Sequence, residues 1–243
     1  MRMTRECKAD FGALVEYVNQ YKISKNLTNS AYLDSLKQIH KCYFALIVWW
    51  AEIQHNDDKA FLKSADCTDE ILHRLTESIS DLGASLFNWI NGSYKTSRVM
   101  LRVGIENFVR SVSAIEDKAQ LTEGSVRTLF EKARPLAIFN CTEEVKSAFD
   151  QIHSDYALLC EDIHTTASNN MEQLSSLAGL PIFKKSKAEQ SREVFVRISK
   201  NFNLILCITF NRQYHGMHHR NRENILHSMS TKNRPLVVLK DKA

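Results

Sequence analysis

Apolar side chains recur at three- and four-residue intervals along almost all of this 243-residue chain, and no stretch alternates long enough to form a half-buried strand. That spacing gives each segment one apolar stripe at helical pitch and leaves nothing from which to build a sheet. Only 7 Gly and 3 Pro interrupt it, too few for a turn-rich β architecture or long linkers. The expected fold is all-α, a helical bundle with a long basic carboxy-terminal helix.

Local signals divide the bundle. A first helix is expected from about Thr4 to Lys22, with Phe11, Leu14, Val15 and Val18 on one face. Asn29 or Ser30 caps a second that runs through Tyr43–Trp50 to about His55, and its all-round apolar second half suits a central position. Thr68, with Asp69 and Glu70 in the first turn, starts a third, which Asn91-Gly92 ends. Ser93 opens a fourth, reaching about Asp117, and so short a connection makes the pair an antiparallel hairpin. A shorter helix from Glu123 stops at Pro135, another starts at Thr142 and runs to about Ala167, and Gly179-Leu180-Pro181 is the clearest break. Beyond it, Lys187 to about Met229 is expected as one long helix.

The longest apolar run, Tyr43 to Ala51, falls well short of the ~18–20 residues that span a bilayer. No membrane partner is expected. The first ten residues carry charges and no apolar stretch of a secretory signal, so a cytoplasmic location is expected. Cys7, Cys42, Cys67, Cys141, Cys160 and Cys207 form no Cys-x-x-Cys pair and are expected to be buried, reduced thiols.

The net charge of +4 conceals a segregation of sign. Residues 184–243 hold thirteen Lys and Arg against four acids, a net +9, whereas residues 1–183 are net −5. The chain therefore divides into an acidic helical body, 1–183, and a basic helix and tail, 184–243, packing on it. Such a tail suits a polyanionic partner, RNA or another nucleic acid. It equally suits a basic helix end that folds back on the acidic body or on a second subunit.

Three constellations carry candidate chemistry. His164 lies beside Glu161 and Asp162 and is a candidate acid or base, or a structural histidine bonded to a carbonyl. Arg98, Arg102 and Glu106 fall at successive i,i+4 steps; Arg102 and Glu106 either pair with each other or face the helix bearing His164. In the tail, Tyr214, His215, His218 and His219 can stack on bases while Arg212, Arg220 and Arg222 hold phosphates. His215 and His219 are i,i+4 neighbours with no carboxylate in the matching turn, so neither metal nor other cofactor is expected.

Leu101-Arg102-Val103-Gly104-Ile105-Glu106-Asn107-Phe108, followed by Tyr156-x-x-Leu159-x-x-x-Ile163-His164-Thr165, resembles bacterial members of the HEPN superfamily over about residues 68–228. The resemblance implies a helical bundle that often forms a homodimer. It also implies a metal-independent endoribonuclease of a toxin or antiphage defence system, acting with a partner protein of that system. The superfamily signature is an Arg followed, after four to six residues, by a His. Upstream of His164 those positions hold Ala157, Leu158 and Leu159, so the arginine must come from elsewhere, and Arg102 with Glu106 is the candidate. In the tail, Arg222 and His227 fit across four residues, Arg220-Asn221 and His227 across six, and Arg212 fits with His218 and His219.

Metal-free RNA cleavage needs a base for the 2′-hydroxyl, an acid for the leaving 5′-oxygen and cations for the phosphorane charge. The competing sites are His164 with Arg102 and Glu106, and His227 with Arg220 and Arg222. The reading from a different class is a non-catalytic helical interaction subunit whose basic tail docks a nucleic-acid complex or an acidic partner.

Overall fold

The computed structural model describes residues 5–55, 67–161 and 179–238. Among them every regular element is helical: α1 (Arg5–Gln20), a 3-10 turn (Ile23–Thr28), α2 (Ser30–His55), α3 (Thr68–Ile90), α4 (Tyr94–Ser113), a second 3-10 turn (Lys118–Thr122), α5 (Val126–Ala133), α6 (Ala137–Asn140), α7 (Glu143–Glu161), α8 (Lys185–Thr209), α9 (Asn211–Gly216), α10 (His219–Ser228) and α11 (Arg234–Val238). The protein is an all-α bundle. No described helix is long and apolar enough to cross a membrane.

The caps explain several boundaries. Asn29 Oδ1 accepts from the Tyr32 amide at 3.2 Å and Thr142 Oγ1 from the Val145 amide at 3.2 Å, each meeting a donor that a helix start leaves orphaned. Gly92 turns the chain between α3 and α4 at φ 79°, where a side chain would also collide with the Ile182 carbonyl. The two helices then run antiparallel. Ser85 meets Ser97 at 3.0 Å, Ser78 Oγ donates to the Gly104 carbonyl at 2.8 Å, and Arg74 Nη1 donates to Asn107 Oδ1 at 3.1 Å. Gly104 allows this approach: a Cβ there would lie 2.6 Å from Leu82 Cδ1.

The core lies where α2, α3, α4, α7 and α8 meet. Phe108 of α4 and Phe202 of α8 stack with centroids 3.7 Å apart, and Tyr32 stacks on Trp89 at 5.1 Å. Trp89 donates its indole N–H to the Ala188 carbonyl at 3.0 Å, joining α3 to the start of α8. Each such ring contributes roughly 1.5–3 kcal/mol by leaving water. Burial of Phe195, Ile198, Phe202, Ile205 and Leu206 makes α8 a core helix, so the change of charge near residue 184 is not a boundary in the packing.

The carboxy-terminal segment departs from the single helix expected over Lys187–Met229. Phe210 leaves helical geometry at φ −111°, ψ 43°, with its buried ring beside Trp49. Met217 then adopts extended backbone at φ −64°, ψ 154°, also buried, and His218 Nδ1 caps α10 by accepting from the Arg220 amide at 3.4 Å. These inward anchors replace the long basic helix with α8, α9 and α10. The tail folds back on the body, where Asn221 Nδ2 donates to Glu52 Oε1 of α2 at 2.6 Å and Ser228 lies buried close to Cys42.

Burial adds two findings, the second of which corrects an expectation. The α1 stripe faces outward, with Phe11, Leu14, Val15 and Val18 at 51, 40, 43 and 63 % exposed. Contacts through the flank hold that helix: Tyr17 donates to the Leu180 carbonyl at 3.4 Å and Tyr21 to Asn91 Oδ1. Among the described cysteines, Cys42, Cys67 and Cys207 are buried, Cys160 is half-buried, and Cys141, at the carboxy-terminal cap of α6, is exposed, which corrects the expectation that all are buried.

Candidate nucleic-acid interface

Arg102 and Glu106 of α4 do face α7. Arg102 Nη2 donates to the Tyr156 oxygen at 2.9 Å, Tyr156 donates to Glu106 Oε1 at 3.0 Å, and the Arg102–Glu106 ion pair closes the triangle at 3.1 Å. Burial, and then the Glu106 carboxylate, push the Tyr156 phenol well above its ordinary range. Burial opposes the Arg102 charge, but bonds with Cys160 and Tyr156 and the Glu106 carboxylate outweigh it and raise its pKa. The Arg102 Nη2, Tyr156 and Glu106 groups satisfy one another, whereas Arg102 Nε is enclosed without a partner among the described residues. His164 and its neighbours from 162 to 178 lie outside the described residues, so the pairing of Arg102 with His164 does too.

The other arginine–histidine constellation forms a cleft of about 380 Å³ between α9, α10 and α11. Its α10 wall carries His219, Arg222, Glu223, Leu226 and His227, whose spacing places them on one helical face. Ile225 and Ser228 on the opposite face are buried against the body, which fixes the rotation of α10 and turns the polar stripe outward. Tyr214 and His215 come from α9, and Arg234 and Val238 from α11.

The charge in this cleft is unbalanced. Among the described residues Glu223 is the one carboxylate lining it, and neither the Arg222 nor the Arg234 guanidinium forms a hydrogen bond or ion pair with any of them. The Nε atoms of both arginines and Nε2 of His215 are enclosed without partners. An enclosed polar atom left unmet costs about 1–3 kcal/mol, and Trp49, Arg102 and Asn203 carry such atoms elsewhere in the fold, so it is the uneven charge of the cleft that suits an acceptor-rich ligand.

The remaining tail residues take other places. Arg212, Arg220 and His218 are exposed and do not line the cleft, with the His218 ring 4.2 Å from that of His219. His215 and His219, expected one turn apart on one helix, lie on different helices and converge on the cleft. Tyr214 is not a stacking platform for bases: it is 2 % exposed, packs edge-on to His215 at 5.2 Å, and burial pushes its phenol up to about 12. Among the described residues no three of His, Cys, Asp and Glu gather closely enough to hold a metal ion.

Sequence reasoning missed Arg234 as a member of this site, since it enters from a separate helix beyond a turn and shares no spacing pattern with α10. It also missed Asp155, 1 % exposed on α7, which receives two 2.9 Å bonds from Arg197 Nε on α8. No family model, curated protein or solved structure matches the chain.

Proposed function

We propose that the protein binds RNA through the α9–α10–α11 cleft and acts there as a metal-independent endoribonuclease, in the toxin or antiphage setting that the HEPN resemblance implies. The observation that carries this reading is the convergence of His215, His219 and His227 with two guanidinium groups, Arg222 and Arg234, that form no ion pair with any described residue. Imidazole is the side chain best suited to exchange protons near neutral pH, and arginine matches the oxygens of a phosphate. One imidazole takes the 2′-hydroxyl proton as that oxygen attacks phosphorus. A second protonates the departing 5′-oxygen, leaving a 2′,3′-cyclic phosphate and a 5′-hydroxyl, while Arg222 and Arg234 offset the phosphorane charge. His227 with Arg222 keeps the spacing of the superfamily signature.

A non-catalytic RNA-docking subunit is the second reading, favoured by the closed Arg102–Tyr156–Glu106 triangle, which leaves Arg102 engaged within the fold. Labelled RNA incubated with the protein in EDTA separates the two. Cleavage that His227→Ala abolishes supports the nuclease. Salt-sensitive retention without cleavage supports the docking subunit, and neither outcome at low salt overturns RNA binding altogether.

A further inference from the structure

We infer that the cleft seats a terminal phosphate monoester of the RNA and not an internal phosphodiester; this rests on the RNA-docking reading above, since cleavage would hold an internal phosphodiester in the same cleft. Charge is the first ground. Among the described residues Arg222, Arg234 and three imidazoles face a single carboxylate, Glu223, and neither guanidinium forms an ion pair with any of them. A phosphodiester brings one negative charge and two free oxygens, whereas a monoester carries close to two charges on three acceptor oxygens near neutral pH. The monoester has enough oxygens to engage both arginines, which approach from different helices, α10 and α11.

Shape is the second ground. At about 380 Å³ the cleft is at the small end of ligand sites and matches one nucleotide end better than a strand running through it. Its α11 wall is anchored by Val237, which is buried, and Leu226 and Val238 offer an apolar edge for the sugar or base next to the phosphate.

Three RNA oligomers of one sequence and one internal fluorophore, ending in a 5′-phosphate, a 3′-phosphate or hydroxyls only, provide the test. Binding to the full chain is measured at fixed ionic strength in EDTA. One phosphorylated end should bind roughly tenfold tighter than the hydroxyl-ended oligomer, the effect of about 1.4 kcal/mol. Arg234→Gln, which keeps the size of the side chain, should remove that preference, while Lys37→Ala on the exposed face of α2 should leave it intact. Equal affinity for all three oligomers overturns the terminal-phosphate inference and leaves RNA binding standing. No binding of any oligomer overturns both.

Discussion

Asp155 and Arg197 join α7 to α8 through a buried carboxylate whose two oxygens both accept from the Arg197 Nε, at 2.9 Å each. Asp155 is 1 % exposed, whereas the Arg197 side chain is 39 % exposed, so the two ends of the pair are not equivalent. Removing the arginine strands a charge in the core. Removing the carboxylate leaves a cation that reaches water. Arg197→Ala should therefore cost more than Asp155→Asn, about 3–5 kcal/mol against roughly 1–3 kcal/mol. Urea unfolding followed by far-ultraviolet circular dichroism checks the order, and equal losses would show that solvent screens the carboxylate as well.

Gly104 marks the closest approach in the α3–α4 hairpin. An alanine methyl there meets Leu82 Cδ1 at 2.6 Å and the Ser78 carbonyl at 3.3 Å, the same carbonyl-bearing turn that donates Ser78 Oγ to Gly104. Leu82 is fully buried and has little room to retreat. The clash outweighs the gain of about 1 kcal/mol that alanine brings to a helix interior. Gly104→Ala should be destabilising by about 1–3 kcal/mol, read as a fall in the thermal midpoint. Gly12→Ala, on α1 with nothing within 4 Å of the new methyl, should instead be neutral or slightly stabilising.

Much of this architecture is legible before any coordinates because its signals are local. Asn29 and Thr142 as caps, Gly92 as the hairpin turn and Gly179–Pro181 as a break each depend on the backbone chemistry of a few adjacent residues. The failures have a different origin. Apolar spacing runs through Phe210 and Tyr214 without interruption, and only the positions of Trp49 and the α2 surface force the chain to turn there. The α1 stripe has the right period for burial, yet the tyrosines on its flank hold the helix and leave the stripe exposed. In the cleft, the α10 face is readable from the spacing of His219, Arg222, Leu226 and His227. Arg234 is not, because its proximity is purely tertiary.

Alkaline pH should expose the two strongly perturbed phenols. Burial raises the Tyr214 pKa to about 12, and burial with Glu106 raises that of Tyr156 further. In the unfolded chain both ionise near 10. Above that pH the unfolded state loses protons that the folded state retains, so the stabilisation is complete below pH 10 and declines as pH rises through the folded values. Urea midpoints measured between pH 9 and 12 should fall, with Tyr214 contributing on the order of 2 kcal/mol of the loss. Tyr214→Phe keeps the ring and removes the hydroxyl, so its stability should depend less steeply on pH over this range. A slope unchanged from wild type would assign the decline to other groups.

Arg222 and Arg220 sit two residues apart on α10 but differ in place: Arg222 lines the cleft and Arg220 is exposed on its flank. Both add positive charge, so both should raise RNA affinity at low salt by attracting phosphate. Of these two, Arg222 alone has an Nε that is enclosed and without a partner among the described residues, within the cleft wall. Arg220→Ala should weaken binding modestly and lose its effect as salt screens the surface over a Debye length of about 8–10 Å. Arg222→Ala should weaken binding at every salt concentration, by roughly tenfold or more, and lower the slope of log affinity against log salt by about one. Titrations from low to moderate salt distinguish the two. Indistinguishable salt profiles would place the phosphate on the general basic surface of the tail and not in the cleft.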